Sequence, residues 1–202
     1  MKLYDSAMAP NPRRVRIFLA EKGITVPVEQ VDIGKATNRQ PPFLAKNPLG
    51  GVPVLELDDG TCISESVAIC RYLEGLKPEP ALMGVDVKDR AVVEMWQRRM
   101  ELEIFQPIAN VFVHTHEWFK GRRPQIPEFG EACRTHALAR MKWLDEVLAT
   151  RPYVAGERYT VADITALVGI DWGRVTKTRV PPECTHVLAW HERVSARPSA
   201  AA

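Results

Sequence analysis

The chain has 202 residues, 46% of them hydrophobic and 26% charged, with a formal net charge of +2. These are the proportions of an ordinary soluble globular protein with one large or two small cores, and they imply no nucleic-acid or other polyanionic partner. No apolar run approaches the roughly 18–20 residues that cross a bilayer, so no membrane partner is expected. Lys2-Leu3-Tyr4 opens the chain as a short strand, with no signal-peptide pattern ahead of it. Asp5 to Pro12 reads as a loop punctuated by Pro10 and Pro12. Pro12 or Arg13 then opens a helix carried by Val15, Ile17, Phe18 and Leu19 and stopped at Gly23. Val26, Val28, Val31 and Ile33 give a second strand, in the βαβ order that implies parallel pairing. Pro41 to Lys46 is a short helix that ends at Asn47-Pro48.

The stretch from Gly50 to Ser66 organises what precedes it. Gly50-Gly51 lets the backbone bend or be approached closely, and Val52-Pro53 heads a strand of Val54, Leu55 and Leu57. Asp58-Asp59-Gly60 is hairpin-turn chemistry, and Thr61, Cys62 and Ile63 return as the partner strand. Ser64 is the expected N-cap of a third helix covering Glu65 to Leu76. A helix N-terminus with a hydroxyl beside it attracts a carboxylate, and Glu65 can accept from an ammonium. If the Val52–Pro53 bond is cis, the Val52 N–H and C=O can pair with a bound peptide as an added strand does. Together these features suit a small zwitterionic peptide.

Lys77-Pro78-Glu79-Pro80 reads as a linker, and everything beyond it reads as helix. Val87 to about Val113 is one long helix with Val92, Met95, Trp96, Met100 and Ile104 inward. Gly121 to Pro127 is a basic, proline-containing loop, and Phe129 to Thr150 is a second long helix with Leu138, Met141, Leu144 and Leu148 on one face. Thr160-x-x-Asp163 is a capping-box variant ahead of a helix from Val161 to about Val175, and a last helix covers Val187 to Ala196. The fold class is therefore α/β plus all-α. A βαβ-α-ββα thioredoxin-like domain spans residues 1–76, a linker 77–85, and a helical bundle 86–202. Cysteines 62, 70, 133 and 184 form no C-x-x-C and sit in apolar contexts, the usage of buried thiols in a reducing, cytoplasmic compartment.

Val52-Pro53 with Glu65-Ser66 resembles the glutathione-binding half of the cytosolic glutathione transferases. Val15 to Gly23 is similar to that family's first helix, and Tyr153-Val154-Ala155-Gly156 followed by Thr160-Val161-Ala162-Asp163-Ile164 is similar to the capping box and buried helix of its C-terminal domain. The resemblance runs end to end. It implies glutathione as co-substrate, a small hydrophobic electrophile as second substrate held by the helical domain, a detoxifying role, a homodimer, and no metal. It assigns Gly51, Val52, Pro53, Glu65 and Ser66 to glutathione, and Lys35, Gln40 and Asn47 to its glycine carboxylate.

One departure stands out. In the family, the loop after the first strand supplies a Tyr, Ser or Cys that points at the thiol. Here the matching positions hold Ala9 or Asn11. The sequence is closest to a fungal and bacterial branch that lacks this residue, in which a helical-domain His and Ser hold an assisting water. Asn110-Val111-Phe112-Val113-His114 is similar to the stretch carrying that His; the corresponding Ser is not visible. The candidates for thiol activation are His114, Asn11, Ser6, and the N–H groups of the Pro12-Arg13-Arg14 helix start with Arg13 or Arg14 adding charge; Arg13, Arg14 and Arg16 can equally form a solvated helix face. Taken alone, Glu65-Ser66 is an ordinary helix start, and His114 and His116 flank a helix end as dipole partners at a spacing that suits no metal. Trp96, Trp143, Trp172 and Trp190 are expected in the helical core, whereas Trp118 and Phe119 can line a pocket. A thiol–disulfide oxidoreductase would need a loop cysteine that is not there. A non-catalytic binding module, or a glutathione-dependent peroxidase or dehalogenase on the same fold, are the remaining alternatives.

Overall fold

A computed structural model describes residues 1–202, which divide into one unit of residues 1–82 with 201–202 and a second of residues 83–200. The division falls within the stretch 77–85 read as a linker.

In the first unit, β1 (Lys2–Asp5), β2 (Val28–Gln30), β3 (Val54–Glu56) and β4 (Cys62–Ser64) form one sheet in the order β2-β1-β3-β4. β1 pairs parallel with β2 and antiparallel with β3, and β3 pairs antiparallel with β4. Central β1 buries Leu3 and Tyr4, and β3 buries Val54 and Leu55. The hairpin closes with Leu57 N–H on the Thr61 carbonyl at 2.8 Å and Gly60 at φ 86°, a conformation that favours glycine. Helix α1 (Pro10–Lys22) starts two to three residues earlier than the sequence suggests, and Gly23 at φ 58° ends it. Ile24 N–H bonds back to the Leu19 carbonyl there, at 3.0 Å. Between β2 and β3 lies the one-turn α2 (Pro41–Leu44). Helix α3 (Ser66–Leu76) returns along α1.

The α1–α3 contact carries two buried cations. Arg14 Nη1 donates to Ser66 Oγ at 2.6 Å, and Lys22 Nζ meets Glu74 Oε2 at 2.5 Å. Lys22 also donates to the Pro78 and Pro80 carbonyls at 2.9 and 2.5 Å, beside its ion pair with Glu74. In each pair the acceptor lies 52 positions downstream, so the two helices run parallel in a fixed register. Between the ties, Val15, Ile17, Phe18, Ile69, Cys70 and Leu73 are fully buried, at about 1.5–3 kcal/mol for each large side chain.

The second unit is all helical: α4 (Val87–Arg99), α5 (Gln106–Thr115), α6 (Pro127–Leu148), α7 (Val161–Trp172) and α8 (Thr185–Ser195). The long helix expected from Val87 is continuous, but a π-helical segment (Met100–Phe105) joins α4 to α5. Pro107 explains it. A proline there has no N–H for the Glu103 carbonyl, and a widened turn absorbs the misfit. The inward face of α4 is Val93, Trp96 and Gln97; Val92 is half-buried and Met95 faces solvent, which corrects the predicted face by about one residue. Of the four tryptophans expected in the core, Trp96 and Trp190 are buried and Trp143 and Trp172 are half-buried. All four cysteines are free, three of them buried.

Helix α7 is buried from Val161 to Ile170, and the Thr160/Asp163 capping box sets its start. Asp163 Oδ2 accepts the Thr160 N–H at 2.9 Å, while Oδ1 accepts the Val154 N–H and the Trp190 Nε1–H, each at 2.9 Å. One carboxylate thus ties the preceding loop, the start of α7 and α8 together. Burial pushes its carboxyl up to about 6 against these donors, which pull it down. The folded chain therefore holds this proton more tightly than the unfolded chain. The contribution is fully present below 3.8, the unfolded value, and is lost as pH rises through about 6. We expect the stability gap between wild type and Asp163→Asn, measured by urea unfolding, to narrow by about 1–3 kcal/mol between pH 4 and 6.5. A gap that is constant with pH would contradict this assignment.

Candidate functional site

Three backbone segments of the first unit converge on one cavity. The first is the β1–α1 loop. Asp5, 1% exposed, accepts from Arg16 Nη1 at 2.6 Å and from Gln30 Nε2 at 2.7 Å. Gln30 Oε1 in turn accepts the Ala7 N–H at 3.0 Å, and Arg16 Nη2 donates to the Ala7 carbonyl at 3.1 Å. The loop is thereby fixed before α1 begins. Because α1 starts at Pro10, its first and third residues are prolines without an N–H, and the Arg13 N–H already closes on the Ala9 carbonyl at 3.3 Å. Asn11 is left as the one N–H donor of the first turn, which corrects the expectation that the N–H groups around Arg13 serve the site.

The second segment runs from Asn47 to Pro53. Asn47, 4% exposed, donates from Nδ2 to the Gly51 carbonyl at 2.9 Å and accepts the Leu49 N–H at 3.2 Å. Gly50 has φ 63°, and a Cβ on it would stand 2.8 Å from both Arg39 Nη1 and the Asn38 carbonyl. Only glycine fits there. The Val52–Pro53 bond is cis, and the Val52 N–H and C=O carry no hydrogen bond within the chain.

The third segment is the start of α3. Its N-cap is Glu65, not Ser64, because β4 keeps Ser64 paired with Val54. Glu65 takes φ 67°, a left-handed conformation that costs a non-glycine residue about 1–3 kcal/mol and concentrates at binding sites. Ser66, 5% exposed, is the first residue of the helix.

Asn11, Asn47, Gly51, Val52, Pro53, Glu65 and Ser66 line a cavity of about 120 Å³. Seven of the residues singled out from the sequence are thus brought together. Behind the cavity, Arg14 Nη1 donates both to Ser66 Oγ and to Asn11 Oδ1, the latter at 3.0 Å. The sequence left Arg13 and Arg14 as equal candidates for the added charge, and Arg14 is the one that is buried. The signal was its position two turns before Lys22, on the face that also holds Phe18. With the partial positive charge at the start of α3, the buried guanidinium makes one side of the cavity attractive to a carboxylate. The Glu65 carboxylate makes the other side attractive to an ammonium.

The remaining candidates lie elsewhere. Ser6 is buried, and its carbonyl accepts the Ala9 N–H. Arg13 is half-buried and does not line the cavity. Lys35 is exposed and paired with Asp32 at 3.4 Å, because the Asp32 carboxylate captures the Lys35 N–H and turns the loop there. Gln40 lines a different cavity of about 340 Å³ with Tyr4, Phe43 and Lys46. Arg39 does not line the cavity either; it donates to the Leu49 carbonyl at 3.0 Å and rests on Gly50, in the segment that leads into it. In the second unit, His114 Nδ1 accepts the Ile126 N–H at 3.0 Å and its ring meets Phe129 edge-on at 5.1 Å. That bond leaves the proton of the neutral ring on Nε2. No group of three or more His, Cys, Asp or Glu side chains is placed to hold a metal ion, and no helix is long and apolar enough to cross a membrane.

Known proteins share this arrangement. The family model described as "Glutathione S-transferase, N-terminal domain" matches residues 1–75, and that described as "Glutathione S-transferase, C-terminal domain" matches residues 111–198. Glutathione S-transferase 2 of Saccharomyces cerevisiae is 40% identical over 98% of this chain and 87% of its own length. The chain belongs to the glutathione S-transferase family. The crystal structure of yeast Gtt2 superposes with a TM-score of 0.94 at 40% identity, covering 98% of both chains. A glutathione S-transferase domain-containing protein from Marinobacter aquaeolei superposes at 0.95 with 43% identity, over 98% of this chain and 99% of that one. Within the family, the chain falls in the Gtt2-like branch, which these fungal and bacterial relatives represent.

For a transferase of this family, Arg14→Met tests the cation behind the cavity. The variant leaves Ser66 and Asn11 without their shared donor, and we expect a loss of about 2–4 kcal/mol in urea unfolding together with weaker glutathione binding in calorimetry. Unchanged glutathione affinity would remove Arg14 from the binding machinery.

Proposed function

We propose that this chain is a glutathione transferase that joins the glutathione thiolate to small apolar electrophiles. The observation that carries the reading is the single cavity lined by the cis Val52–Pro53 segment, Asn11, Glu65 and Ser66. In this reading the Val52 N–H and C=O pair with the cysteinyl backbone of the tripeptide as an added strand does. The γ-glutamyl carboxylate takes the Ser66 hydroxyl and the backbone at the start of α3, since Ser66 accepts from Arg14 and keeps its own O–H to donate. Its ammonium pairs with Glu65. The glycine carboxylate meets Arg39 rather than Lys35 or Gln40, with Asn47 holding the intervening backbone in shape.

The thiol then lies toward Asn11. A free thiol titrates at about 8.5 and is lowered by nearby cations and donors. The Asn11 N–H and side-chain amide, backed by Arg14, supply both. His114 would act through a water, using the Nε2–H left by its bond to Ile126. The gain over the reaction in water comes from thiolate formation and from holding two reactants together. A cytoplasmic homodimer that detoxifies electrophiles is the setting this reading implies. The absence of a Tyr, Ser or Cys at the matching loop positions, Ala9 or Asn11, favours a second reading, a glutathione-binding module without turnover.

Turnover of glutathione with 1-chloro-2,4-dinitrobenzene separates the two readings, because a binding module would bind glutathione by calorimetry and give no conjugate. Under the transferase reading, Asn11→Ala lowers kcat by about 10–100-fold with little change in glutathione KM. His114→Ala with unchanged kcat would eliminate the histidine–water route. Ser66→Ala is expected to weaken glutathione binding by about 1–3 kcal/mol, the usual effect of removing a hydrogen bond to a charged group.

A further inference from the structure

The segment that brings Val52 to the cavity is a loop whose two ends are tied to each other. Asn47, Gly51, Val52 and Pro53 line the cavity, and the chain then enters β3 at Val54. Lys46 stands one residue ahead of Asn47, and Glu56 is the last residue of β3. Lys46 Nζ donates to Glu56 Oε1 at 3.0 Å, so this ion pair joins the two ends of residues 47–55. Neither Lys46 nor Glu56 lines the cavity itself.

Both partners are aimed by Tyr4 of β1. The Tyr4 hydroxyl donates to the second Glu56 oxygen, Oε2, at 2.6 Å. Lys46 Nζ lies over the Tyr4 ring at 5.0 Å, and Phe43 of α2 meets that ring edge-on at 6.1 Å. The Lys46 and Asn47 N–H groups close on one acceptor, the Phe43 carbonyl, at 2.9 and 3.0 Å. The turn that carries the ammonium therefore also carries Asn47. An isolated surface ion pair contributes little, but this one is only 27% and 25% exposed and shares a hydroxyl and a ring with its surroundings.

The physical consequence is pre-organisation. Closing the ends of a loop removes conformations that it would otherwise lose on binding a ligand. Within the loop, Asn38 Nδ2 holds the Gly50 carbonyl at 2.8 Å and Asn47 Nδ2 holds that of Gly51 at 2.9 Å. Neither bond reaches Val52, whose backbone must stand open to pair with a peptide. Lys2 supplies an internal comparison. Its Nζ also lies over the Tyr4 ring, at 4.9 Å, but its partner is Glu29 of β2, at 2.9 Å. It shares the ring and takes no part in the loop.

We propose that Lys46 and Glu56 are positioning residues for glutathione: their ion pair clamps the base of the 47–55 loop and presents the Val52 backbone in its binding shape. The inference rests on the glutathione reading of the cavity and adds two residues that act on the ligand only through the loop. Glu65 and Ser66, on α3, lie outside the clamp.

The test is glutathione affinity by calorimetry on the intact protein. It is read beside KM and kcat with 1-chloro-2,4-dinitrobenzene and beside urea unfolding of each variant. Lys46→Met and Glu56→Gln are each expected to weaken glutathione binding by about 5–20-fold and to raise its KM alike, with kcat within about twofold. The double variant should bind no worse than either single one, because the same clamp is broken once. Lys46→Arg keeps the pair and should recover most of the affinity. Lys2→Met should leave affinity within about twofold, whatever it does to stability. A Lys46→Met variant that loses stability without losing affinity, additive losses in the double variant, or an equal loss from Lys2→Met would overturn the inference and leave the cavity reading intact. Wild-type protein that binds no glutathione would overturn both.

Discussion

Two cations buried on one face of α1 set the geometry on which the rest of the first unit depends. Arg14 joins the start of α1 to the start of α3, and Lys22 joins the end of α1 to the end of α3 and to the chain beyond it. Removing one partner of a buried charge leaves the other stranded at a cost of about 3–5 kcal/mol. Sliding α3 along α1 by one turn would strand both cations at once, so the register is fixed more sharply than the apolar contact between them could fix it. The functional consequence is positional. Both helix starts are held at the same end of the sheet, where the Gly50–Pro53 segment also arrives, and the cavity is the space among the three.

The electrostatics of that space are divided. On one side stand the start of α3, the Ser66 hydroxyl and the Arg14 guanidinium; on the other stands the Glu65 carboxylate, held in place by an unfavourable backbone conformation. Two opposite charges a short distance apart recognise a zwitterionic α-amino acid end better than a lone carboxylate or a lone amine. The paired prolines of α1 sharpen the arrangement. By removing two N–H groups they leave Asn11 as the single first-turn donor, in contact with the same Arg14 that supports Ser66. A site that lacks an acidic hydroxyl or a cysteine can still favour a thiolate through such donors and the cation behind them.

Much of this was legible in the sequence, and the failures have physical causes. Val52-Pro53, the Gly50-Gly51 bend and Glu65-Ser66 could be read because glycine, proline and helix-start residues act locally, and the Thr160/Asp163 box for the same reason. Arg14 could not be told from Arg13, because periodicity treats any arginine as an outward residue; only the Ser66 acceptor on α3, 52 residues away, makes it an inward one. Lys35 and Gln40 were carried to the site by resemblance; in the structure Asp32 pairs with Lys35 in a turn, Gln40 lines the other cavity and Arg39 lies against Gly50. The π-helical segment was hidden since its cause, Pro107, sits inside an otherwise regular helical pattern. The inward face of α4 was misread by about one residue because it buries the polar Gln97, which hydrogen-bonds Thr165, and leaves Met95 in solvent.

The central claim is that the cavity at the two helix starts binds glutathione and makes its thiol a thiolate. The most direct measurement is a pH titration of the ultraviolet thiolate absorbance of glutathione bound to the intact protein. The account predicts a midpoint below about 7.5, against about 8.5 for a free thiol. Bound glutathione titrating at the free value would contradict it, and would leave a cavity that recognises the tripeptide without activating it.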